Sequence, residues 1–388
     1  MLVAQVAMSL VLLVGAGLFA SSLTKLRNLD AGVRTGGVRW SRLFAVPHGY
    51  RNQNDAAYYP ELMRQLSEVS GVQSVALASY FPTFFGFGNL IPTQPLTRAE
   101  TTDAVEAAAG IMENVTPRFF ETAGIPLLRG RDFTWSDDSQ HPEVTIINEG
   151  LNRKLFPDGD AIGRRIRIGN DPRRAAAEVI GVASDAAIGS YKLPHMPVAF
   201  RPRMQELELS RVPVMVFRMS GDPAVVDEAM EAVIAGLGHE YPRRFYSLDE
   251  QIDLSLLQER LLAGLSSFFA GLAVLLAFVG LYGVLAYAAA RRTREIGVRM
   301  ALGSSRARVM RMVVCDGLTL TLLGVAIGVP CALAAGGLIG SFLFGLGSSD
   351  PATLIAASVL FVIVGAVAGL GPALRASRVD PMTALRAD

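Results

Sequence analysis

Residues 261–290 read LLAGLSSFFAGLAVLLAFVGLYGVLAYAAA, a run of 30 residues without one charged side chain. A helix rises about 1.5 Å per residue, so this run gives a helix of about 45 Å. The hydrocarbon core of a bilayer is only about 30 Å thick. The run therefore predicts a membrane helix that tilts in the bilayer or projects beyond it.

Three further uncharged runs lie outside this one. Residues 1–24 come before it, and residues 317–349 and 352–374 come after it, separated by the turn residues Asp350 and Pro351. Each run is long enough to cross a bilayer as a helix. We predict a polytopic α-helical membrane protein with four transmembrane helices, at residues 1–24, 261–290, 313–345 and 352–374.

A signal peptide is the alternative for the first run, because the small residues Ala16, Gly17 and Ala20 could precede a cleavage site. A signal peptide normally opens with basic residues, and this run contains none. We therefore expect the first run to be a membrane anchor.

The stretch between the first two spans, taken as residues 25–258, is polar and carries charges of both signs. Its short apolar runs and turn residues predict a large mixed α/β domain. A strand-helix-strand order occurs in residues 43–92 and again in residues 178–247, so we predict two matching lobes with a mixed insert at 93–177. The predicted strands are residues 43–47, 72–79, 144–148, 164–168, 179–184, 213–220 and 243–247, and the predicted helices are 55–69 and 223–237, with short helices near Arg118 and Glu149.

Composition excludes several classes of site. The formal net charge of +1 argues against a nucleic-acid partner, which calls for a strongly basic domain. Cys315 and Cys331 lie 16 residues apart in one apolar segment, about 24 Å apart on a helix, which is beyond the reach of a disulfide. The four histidines do not have metal-ligand spacing. We predict no metal site and no cofactor.

The connection between the second and third spans, residues 291–311, reads RRTREIGVRMALGSSRARVMR and carries seven arginines against the single acid Glu295. Short basic loops remain in the cytoplasm. The connection between the third and fourth spans, at Asp350, has no basic residue, whereas the C-terminal tail at 375–388 has several arginines. Lys25 and Arg27 follow the first span, but long translocated domains are largely exempt from the charge rule. We therefore expect the tail inside and the large domain outside.

Residues 291–311, called the elbow from here on, also have a helical charge pattern. Arg291, Glu295 and Arg299 are spaced i, i+4 and i+8, which favours a helix from about Arg291 to Leu302. Gly303 suits its C-terminal cap, and Ser304 or Ser305 suits the start of the next helix. On these features alone, the arginines could simply set topology and bind anionic headgroups.

The string REIGVRMALG at 294–303 resembles the cytoplasmic loop of FtsX-like and MacB-type ABC transporter permeases. In that family the loop carries force from an ATPase. The resemblance implies an ATPase-coupling role for a set of elbow residues. They are Arg294, Glu295, Gly297, Arg299, Ala301, Leu302 and Gly303.

The resemblance covers nearly the whole chain. The strings VTPRFF (115–120), GRDF (130–133), INE (147–149), FP (156–157) and IGRRI (162–166) are similar to the MacB-type periplasmic domain, and GPALRASRVDPMTALR (371–386) is similar to the family's C-terminal ending. The resemblance implies an FtsX-like permease domain at 259–388. Residues 3–17 resemble the start of the second half in the duplicated-permease branch, without the basic segment that normally precedes the first span. We therefore expect part of a longer protein, or a split half.

The family implies a permease subunit in the bacterial inner membrane that serves export or efflux of a substrate. The sequence contains no G-x-x-x-x-G-K-[ST] loop, so we expect a non-enzymatic chain whose partner, a cytoplasmic ABC ATPase, hydrolyses ATP. A homodimer or pseudo-dimer with a second permease half, a periplasmic adaptor and an outer-membrane channel are further implied partners. The alternative within the family is a mechanotransmitter or sensor that regulates a periplasmic enzyme or signalling partner without transport.

Glycines in the last two spans have the small-xxx-small spacing that permits close helix contact in lipid. We predict that the third and fourth spans pack through at least one such pair, or that the pairs form a dimer interface. Glycine is also common in membrane helices generally, so one match is weak. The glycines are Gly324 and Gly328, Gly336 and Gly340, and Gly365 and Gly369.

Overall fold

The computed structural model describes residues 1–28, 31–47, 55–81, 93–99, 108–157, 159–169, 175–188, 196–205, 212–301, 304–339 and 350–377. It divides into two compact units. The membrane unit comprises Met1–Leu29 and Leu257–Asp388, and the α/β unit comprises Asp30–Leu256.

The helices and strands follow one another along the chain with few long connections. In chain order they are α1 (Leu2–Arg27), β1 (Val38–Ala45), α2 (Asp55–Ser67), β2 (Val72–Ala78), β3 (Thr93–Arg98), β4 (Ala108–Val115), α3 (Phe119–Ala123), β5 (Leu127–Gly130), β6 (Val144–Asn148), α4 (Glu149–Leu155), β7 (Arg165–Ile168), β8 (Ala177–Ala183), β9 (Val198–Pro202), β10 (Val214–Met219), α5 (Pro223–Leu237), β11 (Glu240–Pro242), β12 (Tyr246–Ser247), α6 (Leu248–Ser255), α7 (Leu257–Arg291), α8 (Thr293–Ala301), α9 (Arg306–Ile339) and α10 (Pro351–Ser377).

The first sheet of the α/β unit has the strand order β11-β1-β10-β2, with β12 paired to β1. All of its pairings are antiparallel. Leu62 and Leu66 of α2 and Met230 and Ile234 of α5 are buried in one core with Phe217 of β10. Apolar residues spaced i and i+4 give each helix one apolar face, and both faces pack on the same side of the sheet.

The two strand-helix-strand units do not form separate lobes, so that prediction is wrong. Strand β10 of the second unit lies between β1 and β2 of the first, and both units therefore share one sheet. A two-stranded sheet is marginal in water, because it buries little apolar surface and leaves both edges unpaired. Interleaving the strands gives both helices a common core.

The second sheet has the order β5-β8-β6-β9-β4-β3-β7, and β7 also pairs with β8. Six strands therefore form a closed ring, and β5 is added to it at β8. Closing the ring removes the edges that a flat sheet would expose. Strands β8 and β9 fall almost entirely within residues 178–247, the range predicted for the second lobe, but both are part of this ring, so the insert extends to Pro202.

Some elements lie where the sequence predicts them, and others were missed. Strand β6 and helix α5 have the predicted bounds, whereas β3, β4, β5 and β9 had not been predicted. Glu113 and Asn114 in β4 and Arg201 in β9 are buried. Buried polar residues of this kind interrupt the apolar pattern by which strands are recognised.

Four helices of the membrane unit, α1, α7, α9 and α10, are long and apolar enough to cross a membrane. Leu10 of α1, Leu281 of α7, Ala332 of α9 and Phe361 of α10 are buried in one cluster. Many large apolar side chains on the outer faces are exposed, as a surface that contacts lipid requires. Helix α1 contacts the other three, in agreement with the anchor prediction.

Candidate functional site

The elbow forms a short helix between two membrane helices. Helix α7 ends at Arg291, α8 covers Thr293–Ala301, and α9 begins at Arg306. Arg292 therefore separates two helices where the charge pattern predicts one continuous helix from Arg291. The backbone N–H of Ile296 donates to the Arg292 carbonyl at 2.9 Å. This bond ties the first turn of α8 to the end of α7.

Glu295 and Arg299 pair along α8, as their spacing predicts. Arg299 Nη2 lies 2.6 Å from Glu295 Oε1, and both side chains are about half exposed. Arg299 Nη1 also lies 3.2 Å from the sulfur of Met312 in α9. An exposed ion pair contributes less than about 1 kcal/mol to stability. The pair therefore presents charge at the surface and adds little to the stability of the elbow.

The other predicted coupling residues are only partly described. Arg294, Gly297 and Ala301 lie on α8, but their side chains fall outside the described part of the chain. Leu302 and Gly303, including the predicted glycine cap, lie outside the described residues altogether. A coupling role stays a prediction for these five residues, as it does for Glu295 and Arg299.

Ile296 anchors α8 and was missed in the sequence. It is 1% exposed and packs with Val309 and Val313 of α9 and Ala373 and Ala376 of α10. The apolar pair Ile296 and Met300, four residues apart among charged neighbours, is the signal that could have identified it. The elbow therefore has a charged outer face and an apolar face fixed to the ends of two membrane helices.

An ion pair joins the end of α7 to α9. Arg292 Nη1 lies 3.1 Å from Asp316 Oδ2, and both side chains are about half exposed. A charge near the end of a span costs less than one at its centre, because it can reach polar surroundings. Asp316 therefore has a partner within the protein as well as a position near the polar boundary.

The glycine pairs contact different helices. A Cβ added to Gly324 would lie 2.5 Å from Val6 Cγ1, and one added to Gly328 would lie 3.1 Å from the Cα of Ala7. These two glycines therefore face α1. Gly365 and Gly369 of α10 face Thr321 and Val314 of α9, so α9 and α10 do approach through one predicted pair. Gly336 is buried, and Gly340 lies outside the described residues.

A joint between the two sheets of the α/β unit is formed where β2 and β4 end. Thr116 Oγ1 accepts a hydrogen bond from the backbone N–H of Leu77 at 2.8 Å, and the Thr116 N–H donates to the Leu77 carbonyl at 3.0 Å. Phe119 packs edge-on against Phe81, with ring centroids 5.5 Å apart, and also contacts Phe200 of β9. The joint combines backbone pairing with aromatic packing and links the two sheets firmly.

Glu113 of β4 completes this joint. Its Oε1 accepts hydrogen bonds from the backbone N–H groups of Ser79, Tyr80 and Phe81 at 2.6, 2.8 and 3.4 Å. Burial raises the pKa of this carboxyl from 4.5 to about 7, although the three N–H groups oppose the rise. Burial dominates because a charged carboxylate loses its hydration in a fully enclosed site.

Two of the family-like strings meet beside this joint. Arg118 has a left-handed backbone with φ of 68°, and its N–H donates to Oδ2 of Asp132 at 3.2 Å. The side chain of Arg118 also pairs with Glu121. A third string supplies Asn148, whose side chain caps α4 by accepting from Leu151 N. These strings therefore stabilise turns and helix ends.

Two family models account for most of the chain. Residues 2–235 match the MacB-like periplasmic core domain, and residues 267–381 match the FtsX-like permease C-terminal region. The chain belongs to the MacB-type, FtsX-like family of ABC transporter permeases. This permease has a mixed α/β domain of periplasmic type between its first and second candidate membrane helices.

Known relatives of the permease are longer proteins. It is 29% identical over 280 residues to the macrolide export ATP-binding/permease protein MacB of Chromobacterium violaceum, an alignment that covers 69% of this chain and 42% of the relative. It is 28% identical over 291 residues to a probable export ATP-binding/permease protein of Pseudomonas fluorescens, covering 71% and 43%. The chain therefore spans less than half the length of these curated relatives.

Solved structures of outer domains were also found. The periplasmic region of MacB from Actinobacillus actinomycetemcomitans is 16% identical, with a TM-score of 0.38, and the match covers 58% of the permease and 95% of that structure. The extracellular domain of the ABC-type transporter YknZ from Gram-positive bacteria is 16% identical, with a TM-score of 0.34, covering 53% and 100%.

Proposed function

We propose that this permease transmits the ATP-driven motion of a separate cytoplasmic ATPase to its outer domain, for export of a substrate. The position of Ile296 is the observation that best supports this proposal. Its side chain fixes α8 between α9 and α10, while the Glu295 and Arg299 side chains of the same helix remain half exposed. One short helix thus offers charges to a partner and an apolar attachment to two spans.

A displacement of α8 would be transmitted to three membrane helices, α7, α9 and α10. Helix α8 follows α7 after Arg292, and Ile296 holds it to α9 and α10. Hydrogen-bonded helices transmit axial displacement, and packed interfaces shift between discrete arrangements. Helix α7 begins at Leu257, directly after the last residue of the α/β unit. The chain itself therefore connects the elbow to the outer domain through one helix.

The orientation is part of the proposal. The seven arginines in the elbow support a cytoplasmic position for it and for the C-terminal tail, because short basic loops stay inside. The α/β unit is then periplasmic, as in the family whose core domain it matches. Relatives named ATP-binding/permease proteins carry both functions in one chain. A pseudo-dimer with a second permease half, an adaptor and an outer-membrane channel remain proposed partners.

Affinity purification of the full chain from bacterial membranes in mild detergent tests this proposal. We expect an ABC ATPase to co-purify, and Glu295→Ala with Arg299→Ala to lower its permease-dependent ATP hydrolysis severalfold. The matched control removes Glu61 and Arg64, a similarly exposed ion pair on α2 of the outer domain. Absence of any ATPase, or equal activity in both double variants, would refute ATPase coupling through the elbow.

A transport assay separates export from regulation. Loss of substrate efflux from cells in the Glu295 and Arg299 variant would support export. Intact efflux with an altered periplasmic enzyme or kinase activity would instead favour the regulatory role that occurs in the same family.

A further inference from the structure

A cavity of about 410 Å³ lies between α8 and α9. It is large enough for a small ligand or a headgroup. Its lining combines arginines with apolar and sulfur-bearing side chains. The lining residues are Ile296, Arg299, Ser304, Arg308, Val309, Arg311, Met312 and Cys315.

Among the described residues, two of the three arginines in this cavity have no carboxylate partner. Arg299 pairs with Glu295. Arg308 and Arg311 are exposed, and neither has an ion pair or a side-chain hydrogen bond within the part of the chain that the structure describes. Within the part of the chain that the structure describes, these two positive charges are therefore uncompensated and available to an anion.

The lining residues that α9 supplies change in character along the helix. Arg308, Arg311, Met312 and Cys315 are spaced i, i+3, i+4 and i+7, which places them on one face of the helix. Cys315 precedes Asp316, whose ion pair with Arg292 joins α7 and α9. Along this face the surface changes from cationic to apolar within two turns.

We propose that this cavity binds an anionic glycerophospholipid. The headgroup phosphate contacts Arg308 and Arg311, and the Ser304 hydroxyl adds a hydrogen-bond donor. An acyl chain follows Met312 and Cys315 along α9. Free phosphate uses only the arginines, and an acidic protein surface leaves the apolar lining residues unused, so the lipid matches the whole lining. Basic pockets at the cytoplasmic ends of membrane helices are suited to such headgroups.

The bound lipid would occupy the space between the elbow and α9, where Arg299 already reaches Met312. It would therefore stiffen the connection between α8 and α9. This inference concerns binding, and it can be tested without an ATPase or a transport substrate. Failure of the lipid site and failure of the coupling function are therefore distinguishable.

Lipid retention on the purified full chain tests the site. The chain in neutral detergent is incubated with phosphatidylglycerol or phosphatidylcholine, washed, and analysed for bound lipid by mass spectrometry. We expect phosphatidylglycerol to be retained preferentially, and Arg308→Gln with Arg311→Gln to lower its retention by about tenfold or more, because charge-assisted phosphate contacts are lost. Arg306→Gln is the matched control, since Arg306 is exposed on the same helix but does not line the cavity.

Further variants and a competition measurement identify the class of ligand. Arg308→Lys with Arg311→Lys should recover most of the retention, and unchanged elution in size-exclusion chromatography verifies folding. Equal retention of phosphatidylglycerol by the wild type and the glutamine variant would overturn the proposal, as would equal retention of the two lipids. Displacement by millimolar inorganic phosphate would overturn it in favour of a free-phosphate site. A co-purifying protein lost in the glutamine variant, with lipid retention unchanged, would overturn it in favour of an acidic protein surface.

Discussion

The Oε1 atom of Glu113 lies 2.6 Å from the backbone nitrogen of Ser79 and accepts its hydrogen bond. Glu113 belongs to the ring of strands, whereas Ser79 follows β2 of the first sheet. One carboxylate thus connects the two sheets of the outer domain. Its second oxygen has no hydrogen-bond partner among the described residues, which adds to the cost of keeping the group charged.

The stability of the outer domain should depend on pH through Glu113. Its pKa in the folded state, about 7, is above the ordinary 4.5. The folded state therefore holds this proton more tightly than the unfolded state does. The stabilisation that this proton contributes to the folded state is complete below pH 4.5 and is lost as pH rises to about 7 and above. The loss amounts to about 3 kcal/mol, at about 1.4 kcal/mol per pKa unit.

Tryptophan fluorescence of the full chain during urea unfolding measures this effect, because Trp40 and Trp135, the only two tryptophans, are both in the outer domain. We expect the free energy of unfolding to be lower at pH 8 than at pH 5, and Glu113→Gln to remove most of that difference. Glu61→Gln is the control, since hydrogen bonds from Arg64 lower the pKa of the exposed Glu61. A steep pH dependence that survives in Glu113→Gln would assign the effect to another group.

Removing the Ile296 side chain should uncouple the elbow while leaving its charges in place. Ile296→Ala leaves a cavity among Val309, Val313 and Ala373, and truncating a buried isoleucine costs about 2–5 kcal/mol. We expect lower thermal stability in detergent and reduced ATPase stimulation. Val298→Ala is the control, because Val298 on the same helix is 40% exposed. Equal effects of the two substitutions would show that Ile296 is not a specific anchor.

Packing between α1 and α9 should depend on Gly328. A Cβ there would lie 2.8 Å from Leu10 Cδ2 and 3.1 Å from Ala7 Cα, so the backbone of α1 must shift. We expect Gly328→Ala to cost about 1–3 kcal/mol, the usual range for overpacking. Gly337→Ala is the matched control on α9, where an added Cβ meets no atom within 4 Å. The midpoint of thermal unfolding in detergent compares them, and a neutral Gly328→Ala would contradict the close approach.

The two proposed sides of the membrane can be checked by cysteine labelling. Ser139 in the outer domain and Ser305 in the elbow are both exposed. In a chain with Cys315 and Cys331 replaced by alanine, we expect a maleimide that enters the periplasm but cannot cross the inner membrane to label Ser139→Cys in intact cells. Ser305→Cys should react only after the inner membrane is permeabilised. Labelling of both positions in intact cells would defeat the proposed orientation.

The membrane layout and the elbow pair were predictable because both depend on local properties of the chain. Four long apolar runs give four helices by length and hydropathy alone, and the spacing of Glu295 and Arg299 gives their ion pair within one helix. Such features arise from neighbours in sequence. The break at Arg292 was not predicted, because the charge pattern continues through it.

The buried polar residues of the outer domain could not be predicted in the same way. Glu113 looks like an ordinary exposed glutamate until the three N–H groups of residues 79–81 are brought to it. Ile296 is likewise one apolar residue in a basic loop until α9 and α10 surround it. In each case the partners belong to other elements of the chain: residues 79–81 follow β2, and the partners of Ile296 lie on α9 and α10.

The sequence by itself determined the four spans, the basic elbow and the family, because hydropathy, charge and short motifs are local properties of consecutive residues. Only the tertiary structure decided that β10 lies between β1 and β2, and that the glycines at 324 and 328 face α1. Strand pairing and helix contacts join distant segments, and many pairings satisfy the same apolar pattern. The choice among them follows from how all the buried surfaces fit together at once.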